Sequence, residues 1–351
     1  MFLALKEIKH EKLRYGLIIL MIFLISYLIF MLSSLAVGLA SQNTQAIENW
    51  NAQKIVLNKN ANISMSQSIL TKDDLKNAKI GKNEAIIGQL GIVAKKKGKN
   101  SISAQFLGIK KDQFIYQDVI AGKKAKNGNQ ITVDSSFKDK GYKLGDQISL
   151  NGSKKKYKIV GFVNNAKINI APIVYGSMKT WKKLRMVAPN VAASAVVSKN
   201  SNYKFNYKDA KTYPIQAFIN KLPGYTAQNL TFELMIGFLF VISLIVIAVF
   251  LYILTMQKMH NFAVMRAQGI PSKTLVGATI SQSIILVAIG VVIAIILMWL
   301  TDLTLPAAVP MTFTPAIMIS GTLGMLVMGI IGSLIPIRSI LKVDPAKAIG
   351  E

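Results

Sequence analysis

The sequence contains no cysteine and only two histidines, His10 and His260, in 351 residues. The lack of thiols excludes disulfides and thiolate metal sites. No Gly-x-x-x-x-Gly-Lys-Ser/Thr phosphate-binding loop occurs, so any ATP that drives this protein must be bound by another polypeptide. With so few groups for a nucleophile–base pair or a metal cluster, we expect a non-catalytic chain with no intrinsic cofactor and no metal site.

Four apolar stretches are long enough to cross a membrane. They cover residues 15–39, 232–256, 276–300 and 313–337, and a hydrocarbon core of about 30 Å requires roughly 20 apolar helical residues. The first stretch could be a secretory signal, but the apolar core of a signal spans only about 7–15 residues. We therefore predict an uncleaved anchor and a membrane α-helical fold with four transmembrane helices in a 1+3 arrangement.

The charges that flank these stretches predict their orientation, because Lys and Arg accumulate in short cytoplasmic flanks. The N-terminal flank, the 257–275 connection and the C-terminal tail are basic. The connection between the third and fourth spans has Asp302 as its only charged residue. We therefore expect a multi-pass plasma-membrane protein with both termini in the cytoplasm. The large segment between the first and second spans is then extracellular.

These assignments divide the chain into eight segments. Residues 1–40 are the N-terminal flank and first span, and residues 41–228 are an extracellular mixed α/β domain with stalk ends. The others are the second span (229–257), a cytoplasmic coupling loop (258–275), the third span (276–300), a short outer loop (301–312), the fourth span (313–337) and a cytoplasmic tail (338–351).

Acidic residues are scarce in the extracellular segment. Between Ser41 and Thr226 the sequence has 32 Lys and Arg against 10 Asp and Glu, which accounts for 22 of the formal net charge of +26. Its lysine runs adjoin Gly, Asn and Ser, as solvated turns do. They indicate a solubilising surface that faces an anionic envelope, with steering of anionic ligands as the alternative. The extracellular location argues against nucleic acid as a partner.

The extracellular segment reads as mixed α/β. Short β-type runs are predicted at 54–57, 130–133, 147–150, 157–163 and 195–198. Helices are predicted at 71–78, where Thr71 and Asp74 resemble a capping box, and at 177–185. Residues 47–53 and 228–234 are predicted to continue the first and second spans outward as stalks.

Three local motifs in this order resemble those of ABC-transporter permeases of the MacB/FtsX type. The first is the loop 258–269, KMHNFAVMRAQG, which in that family docks on the ATPase. The second is the tail 342–349, KVDPAKAI, which contains Asp344 and Pro345. The third is the 142–148 stretch, YKLGDQI, followed by 157–163, which is similar to a hairpin of the external domain. With the 1+3 layout, the resemblance covers the whole chain.

The resemblance implies a permease homodimer on a dimer of separate ABC ATPase subunits. Such a protein takes its substrate from the membrane lipid and expels it outward. Within the family, the Leu-Lys-Glu-Ile start and the Val-Asp-Pro-x-x-Ala-Ile-Gly ending are most similar to the HrtB-type haem exporter permeases of Gram-positive bacteria. Haem is then the expected substrate.

The coupling loop predicts a short amphipathic helix. Phe262, Met265 and Ile270 would lie on one side as apolar anchors for a groove on the ATPase, with Lys258, Arg266 and Lys273 on other sides. Gly269 and Pro271 are expected to terminate this helix before the third span begins. The alternative is a generic interfacial helix. Asn261 stands where many relatives of this type have glutamate. In the tail, Asp344 and Pro345 are typical of a turn or helix start.

Carboxylate, phenolate and thioether groups near the outer ends of the spans are candidate haem contacts. They are Glu48, Glu233, Tyr27, Met31 and Met235. Glu233 is the sharpest candidate, because an ionisable group near lipid is costly. The alternative for Glu233 is a first-turn carboxylate that the helix dipole stabilises, and the alternative for the more exposed Glu48 is an ordinary interfacial carboxylate.

Small residues four positions apart allow close approach of helices. Ser34 and Gly38 have this spacing near the outer end of the first span and are candidates for the dimer contact, with packing inside one chain as the alternative. Two other functions stay open: export of peptides, antimicrobials or lipoproteins, and mechanical regulation of a cell-wall enzyme without transport.

Overall fold

The computed structural model describes residues 11–116, 118–306 and 309–341. The chain forms two compact units. The helical unit comprises residues before Leu39 and after Gln228, and the α/β unit comprises Leu39–Gln228. The described helices are α1 (Lys12–Asn49), α2 (Ser136–Asp139), α3 (Met178–Arg185), α4 (Ile215–Asn220), α5 (Tyr225–Gln257), α6 (Met259–Ala267), α7 (Ser272–Thr304) and α8 (Pro315–Leu341).

Four of these helices, α1, α5, α7 and α8, are long and apolar enough to cross a membrane. They contain 38, 33, 33 and 27 residues, and at a rise of about 1.5 Å per residue even the shortest exceeds a hydrocarbon core of about 30 Å. In the sequence, the mixed α/β unit lies between the first of these helices and the other three. The predicted fold class is therefore confirmed.

The helical unit packs through small residues. A Cβ placed on Gly290 of α7 would lie 2.7 Å from the Ile22 side chain of α1, and one on Gly321 of α8 would lie 2.6 Å from the ring of Phe30. Apolar lipid gives helices little hydrophobic reason to associate, so close contact of this kind supplies the packing energy. These glycines bring α7 and α8 close to α1.

The α/β unit contains one large sheet. Its strand order is β13-β1-β12-β3-β4-β10-β6-β8-β5, with β7 also pairing β3 and β8, and β9 pairing β10. Of these pairs, β10–β4 and β6–β8 are parallel and the others antiparallel. The strands are β1 (Lys54–Asn58), β2 (Leu70–Thr71), β3 (Glu84–Lys95), β4 (Ile102–Ile109), β5 (Val119–Gly122), β6 (Gln130–Asp134), β7 (Gln147–Leu150), β8 (Lys156–Val163), β9 (Lys167–Ile168), β10 (Ala171–Ser177), β11 (Val191–Ala193), β12 (Ala195–Ser198) and β13 (Ala210–Pro214).

Trp181 of α3 packs on the sheet where two strands carry glycine. The indole covers Gly88 of β3 and Gly108 of β4, so closely that a Cβ at either position would collide with it. Its Nε1–H donates to the carbonyl oxygen of Gln89 at 3.0 Å. Ser177 caps the helix by accepting from the Thr180 amide at 3.1 Å. The helix predicted at 177–185 is confirmed.

The helix predicted at 71–78 is wrong. The capping contacts do form, because the Asp74 carboxylate accepts from the Thr71 amide at 2.9 Å and the Thr71 hydroxyl accepts from the Asp74 amide at 3.1 Å. However, Thr71 pairs with Val191 in the β2–β11 ladder, and the residues after it form turns. A capping pair without the packing of an amphipathic face does not nucleate a helix.

The five predicted strands are present, and so is the family-like hairpin, in which β7 pairs with β8.

The first predicted stalk is shorter than expected, because α1 ends at Asn49 and the next residue, Trp50, is fully buried in the α/β core. The second stalk is longer, since α5 begins at Tyr225.

Candidate functional site

Glu233 lies in an apolar stretch of α5 that is exposed on several sides. Its neighbours Leu234, Met235 and Phe238 are 54%, 42% and 65% exposed, respectively, and Glu233 is exposed as well. Among the described residues no cation lies within ion-pair distance of its carboxylate. Exposed side chains in such a stretch contact lipid when the helix spans a bilayer, so this carboxylate is available to a ligand that arrives from the membrane.

The helix dipole does not account for Glu233. The alternative placed it in the first turn of its helix, but α5 begins at Tyr225, and its first turn contains no acidic residue. Glu233 is therefore more than two turns inside the helix. The stabilising effect of the dipole on a carboxylate is confined to about the first turn, so the charge at this position needs another reason.

Tyr27 and Met31 lie in the interior of the helical unit. Both pack against its main apolar cluster. The Tyr27 hydroxyl lies 3.0 Å from Thr301 Oγ1, which itself donates to the Leu297 carbonyl oxygen at 2.8 Å. Because Thr301 has one hydroxyl hydrogen, Tyr27 is the donor in their bond. Its phenol is thus already engaged, and Met31 is only partly exposed.

Glu48 belongs to the α/β unit, at the end of α1. Its side chain is exposed and accepts a short hydrogen bond of 2.5 Å from Thr44 Oγ1. The five predicted haem contacts therefore occupy three settings: a lipid-facing helix surface (Glu233 and Met235), the helical core (Tyr27 and Met31) and the α/β unit (Glu48). The structure does not gather them into one cavity.

A cavity that sequence reasoning missed lies in the helical unit, between the end of α7 and the start of α8. Its volume is about 220 Å³. Asp302, which served only as an orientation marker, contributes the one carboxylate, and the rest of the lining is Ile295, Met298, Trp299, Phe313, Thr314, Pro315 and Met318. No local signal could have found it, because the two groups of lining residues are separated by the outer loop.

The coupling segment forms the predicted short helix, α6, but its apolar side is occupied. Phe262 is 5% exposed and packs with Leu275 and Ile340, and Met265 and Ile270 pack against the same cluster. Of these three residues, Phe262 is not exposed to a partner, whereas Met265 and Ile270 are half-buried, and their contact with the ATPase stays a prediction. All three fasten α6 to the ends of α7 and α8, because the chain's own helices offer a closer apolar surface.

The exposed face of α6 is different. His260, Asn261, Val264 and Gln268 are exposed, and Val264 is 38% exposed although it is apolar. Asn261, Val264 and Gln268 follow the i, i+3, i+7 spacing of one helix face. Gly269, at a φ of +90°, lies just after the helix end, and Pro271 precedes α7. We call residues 261, 264 and 268 the outer face of α6.

Lys258 and Arg266 do not belong to that face. The Lys258 ammonium donates to the Tyr15 hydroxyl of α1 at 2.8 Å, and Gln282 of α7 also donates to this hydroxyl. Arg266 is half-buried. Lys258 is therefore a link between α1, the start of α6 and α7.

Ser34 and Gly38 pack against the chain itself. Ser34 is buried, and its carbonyl oxygen accepts from the Thr312 amide at 3.1 Å. A Cβ on Gly38 would collide with the Pro310 carbonyl. This contact with the outer loop is the intramolecular alternative to a dimer contact. Asp344 and Pro345 of the tail motif lie outside the described residues.

Among the described residues, no group of three or more His, Asp or Glu side chains is placed to hold a metal ion.

Comparison with known proteins gives a consistent result. Residues 233–345 match the family described as FtsX-like permease C-terminal. Two proteins provisionally named hemin transport system permease protein HrtB align with 100% of this chain and with 99% of their own length. The one from Staphylococcus haemolyticus (strain JCSC1435) is 26% identical, and the one from Staphylococcus epidermidis (strain ATCC 12228) is 29% identical.

More distant similarities are also found. An uncharacterized ABC transporter permease of Mycobacterium tuberculosis (strain H37Rv) is 21% identical over 66% of this chain and 64% of its own. The extracellular domain of the ABC-type transporter YknZ from Gram-positive bacteria has a TM-score of 0.32 at 14% identity, over 43% of this chain and 84% of that one. The periplasmic region of MacB from Actinobacillus actinomycetemcomitans has a TM-score of 0.36 at 14% identity, over 48% and 93%.

The resemblance to FtsX-type permeases that the motifs predict is confirmed by the match over residues 233–345 and by the full-length relatives. The matched region contains α6, α7 and α8, and therefore both the coupling segment and the cavity near Asp302.

Proposed function

We propose that this chain, which has an FtsX-like permease domain, is the membrane subunit of an ABC efflux transporter that moves haem from the membrane outward. The observation that supports this most strongly is the full-length similarity to two proteins named as hemin transport permeases, at 26% and 29% identity. The absence of a phosphate-binding loop in the sequence assigns ATP hydrolysis to a separate subunit.

In this proposal both termini and α6 are cytoplasmic and the α/β unit is extracellular. The basic flanks of the spans and the single charge, Asp302, of the outer loop support this orientation. The cysteine-free chain suits single-cysteine labelling with a membrane-impermeant maleimide on intact cells. Lys204→Cys should react and Gln268→Cys should not, and the opposite pattern would reverse the topology.

The outer face of α6 receives force from the ATPase. Asn261, Val264 and Gln268 are exposed, whereas the opposite side is fixed to α7 and α8 through Phe262, Leu275 and Ile340. A displacement of α6 is thus passed to two spans through buried contacts. The Lys258–Tyr15 hydrogen bond adds α1 to the set of helices that move. This arrangement suits mechanical coupling without a polar pore.

Haem enters from the lipid and meets α5. Haem is a flat amphiphile with two carboxylates and an iron that accepts carboxylate or thioether ligands. Glu233 and Met235 are both exposed on α5, but residues two apart in a helix point to nearly opposite sides, so the capture step is assigned to Glu233. Glu48, Tyr27 and Met31 would act at other stages, or only as packing residues. A second copy of the chain is part of the proposal, because the family functions as a permease dimer.

The test is reconstitution of the permease with its cognate ATPase in liposomes. Haemin should stimulate ATP hydrolysis in the presence of wild-type permease, and Val264→Asp should abolish this stimulation while the permease stays folded. Stimulation by peptides or lipoproteins but not by haemin would assign the same scaffold to those substrates. Indifference to every amphiphile, with a stable cell-wall enzyme as partner, would indicate a mechanical regulator.

A further inference from the structure

The surface of the α/β unit contains an apolar hollow that the transport mechanism above does not use. Its volume is about 560 Å³. Its lining residues come from β5, from the stretch that follows β6, and from β8; they are Ala121, Lys138, Gly141, Tyr142, Lys143, Leu144 and Phe162. Leu144 is 46% exposed and gives the hollow an accessible apolar surface.

The hollow has a cationic rim. The Lys138 ammonium lies 4.8 Å from the centre of the Phe162 ring, and Lys143 is exposed on the same rim. Lys99 provides a third ammonium, because a Cβ on Gly141 would lie only 2.7 Å from Lys99 Nζ. Apolar surface framed by three ammonium groups is a complement to an anion with an apolar body.

Carboxylates near this rim do not neutralise it. Asp146 is bound by Lys96 at 2.6 Å and accepts from the Lys143 amide at 2.9 Å. Asp139 is exposed next to Lys138 on α2 and does not line the hollow. Among the described residues, no carboxylate lies within ion-pair distance of Lys99, Lys138 or Lys143. The charges of Lys99 and Lys138 are therefore available to a ligand, and that of Lys143 interacts with Asp146 only beyond ion-pair distance.

We infer that this hollow binds an anionic amphiphile with an apolar ring system, the ring lying over the exposed Leu144 and the acidic groups meeting Lys138 and Lys143. Positive charge on the rim attracts such a ligand and orients it, and the apolar floor supplies the burial energy. A cationic amphiphile of the same shape is repelled. The inference rests on the proposed function only in that an exported haem has this chemistry.

The experiment uses the full-length chain in nanodiscs and two water-soluble porphyrins of similar shape. One is the tetrasulfonated tetraphenylporphyrin, and the other is its cationic tetra(N-methylpyridyl) counterpart. Fluorescence titration should show saturable binding of the anionic porphyrin only. The double variant Lys138→Glu/Lys143→Glu should weaken this binding by at least about tenfold, since two attractive charges become repulsive. Leu144→Gln should weaken it at unchanged charge.

A matched control separates the hollow from the general positive field of the unit. Lys204→Glu/Lys221→Glu makes the same change of charge beside β13, at the other edge of the sheet from β5. It should change the affinity by less than about twofold at ordinary salt, where screening limits the reach of charge. Equal effects of the two double variants, or no saturable binding, would overturn the inference.

Failure here and failure of the proposed function are distinguishable. If the hollow binds no porphyrin while haemin still stimulates the ATPase, the transport proposal stands and the hollow is not a site. If the hollow binds the anionic porphyrin while haemin has no effect on ATP hydrolysis, the site stands and the transported compound is another one.

Discussion

The ammonium of Lys258 donates a hydrogen bond of 2.8 Å to the hydroxyl of Tyr15, a fully buried residue of the first span. Lys258 immediately precedes α6, so this bond joins the coupling helix to α1. Gln282 donates to the same hydroxyl from α7. The Tyr15 hydroxyl of α1 therefore accepts hydrogen bonds both from α7 and from the residue next to α6.

Tyr15→Phe should weaken both folding and coupling. The substitution leaves Lys258 and Gln282 without this acceptor, and loss of a partner to part-buried polar groups costs about 1–3 kcal/mol. We expect a lower thermal midpoint in detergent and weaker stimulation of the ATPase. Tyr27→Phe is the matched control, because it removes one hydroxyl bond, to Thr301, about three turns further along α1. Equal effects of the two variants would contradict a coupling role.

Phe262 and Val264 should behave differently although they are two residues apart. Phe262→Ala removes a buried side chain that fastens α6, and such truncations cost about 3–5 kcal/mol. Val264→Asp changes only the outer face, so the thermal midpoint should stay the same while ATPase binding is lost. The measurement is co-purification of the ATPase beside a melting curve. Retained binding in Val264→Asp would show that the ATPase uses another surface.

Gly88→Ala should destabilise the α/β unit, whereas Gly91→Ala on the same strand should not. A Cβ on Gly88 would collide with the Trp181 ring, but one on Gly91 meets nothing within 4 Å. Overpacking of this type typically costs about 1–3 kcal/mol. Chemical denaturation followed by Trp fluorescence reports the difference. A Gly88→Ala variant as stable as Gly91→Ala would contradict the close packing of Trp181.

Asp146 should contribute stability that disappears in acid. Burial alone would raise the pKa of Asp146, but the hydrogen bond from Lys96, the Lys143 amide and the nearby positive charges outweigh it and hold the pKa below its usual range. A carboxyl group whose pKa is depressed in the folded state stabilises the folded protein fully at pH values above its unfolded-state pKa, about 3.9. This stabilisation is lost as the pH falls through the folded-state pKa.

The check is the difference in stability between wild type and Asp146→Asn as a function of pH. It should be constant from pH 5 to 7 and shrink below about 3.9, the usual pKa of aspartate. Asp139→Asn, at an exposed carboxylate of the same stretch, should show little difference at any pH. A difference for Asp146→Asn that persists unchanged at pH 2 would argue against the ion pair with Lys96 as its cause.

The four membrane helices and five short strands could be predicted from length and local pattern, because lipid thickness and β-type runs act within one segment. Strands β3, β4 and β10 are not predicted from local pattern; they contain Gly88, Gly108 and Gly176, and glycine weakens a strand signal. In the structure, the first two glycines make room for Trp181 and the third for Phe106, residues that are distant in sequence.

The coupling helix shows the same limit. The helical spacing of its apolar residues is visible in the sequence. The sequence does not show which of them are exposed, because Leu275 and Ile340, which cover Phe262, lie in other helices. The hollow in the α/β unit was invisible for the same reason. Its lining combines residues 121, 138, 141–144 and 162, which only the sheet brings together.

The most direct test of the account is a haemin titration of the purified permease in nanodiscs, followed at the Soret band. We predict a saturable, shifted band that Glu233→Ala weakens and that Asp118→Ala, at an exposed carboxylate of the α/β unit, leaves unchanged. A signal no greater than that of empty nanodiscs, or one that Glu233→Ala does not alter, would contradict haem capture at the lipid-facing surface of α5.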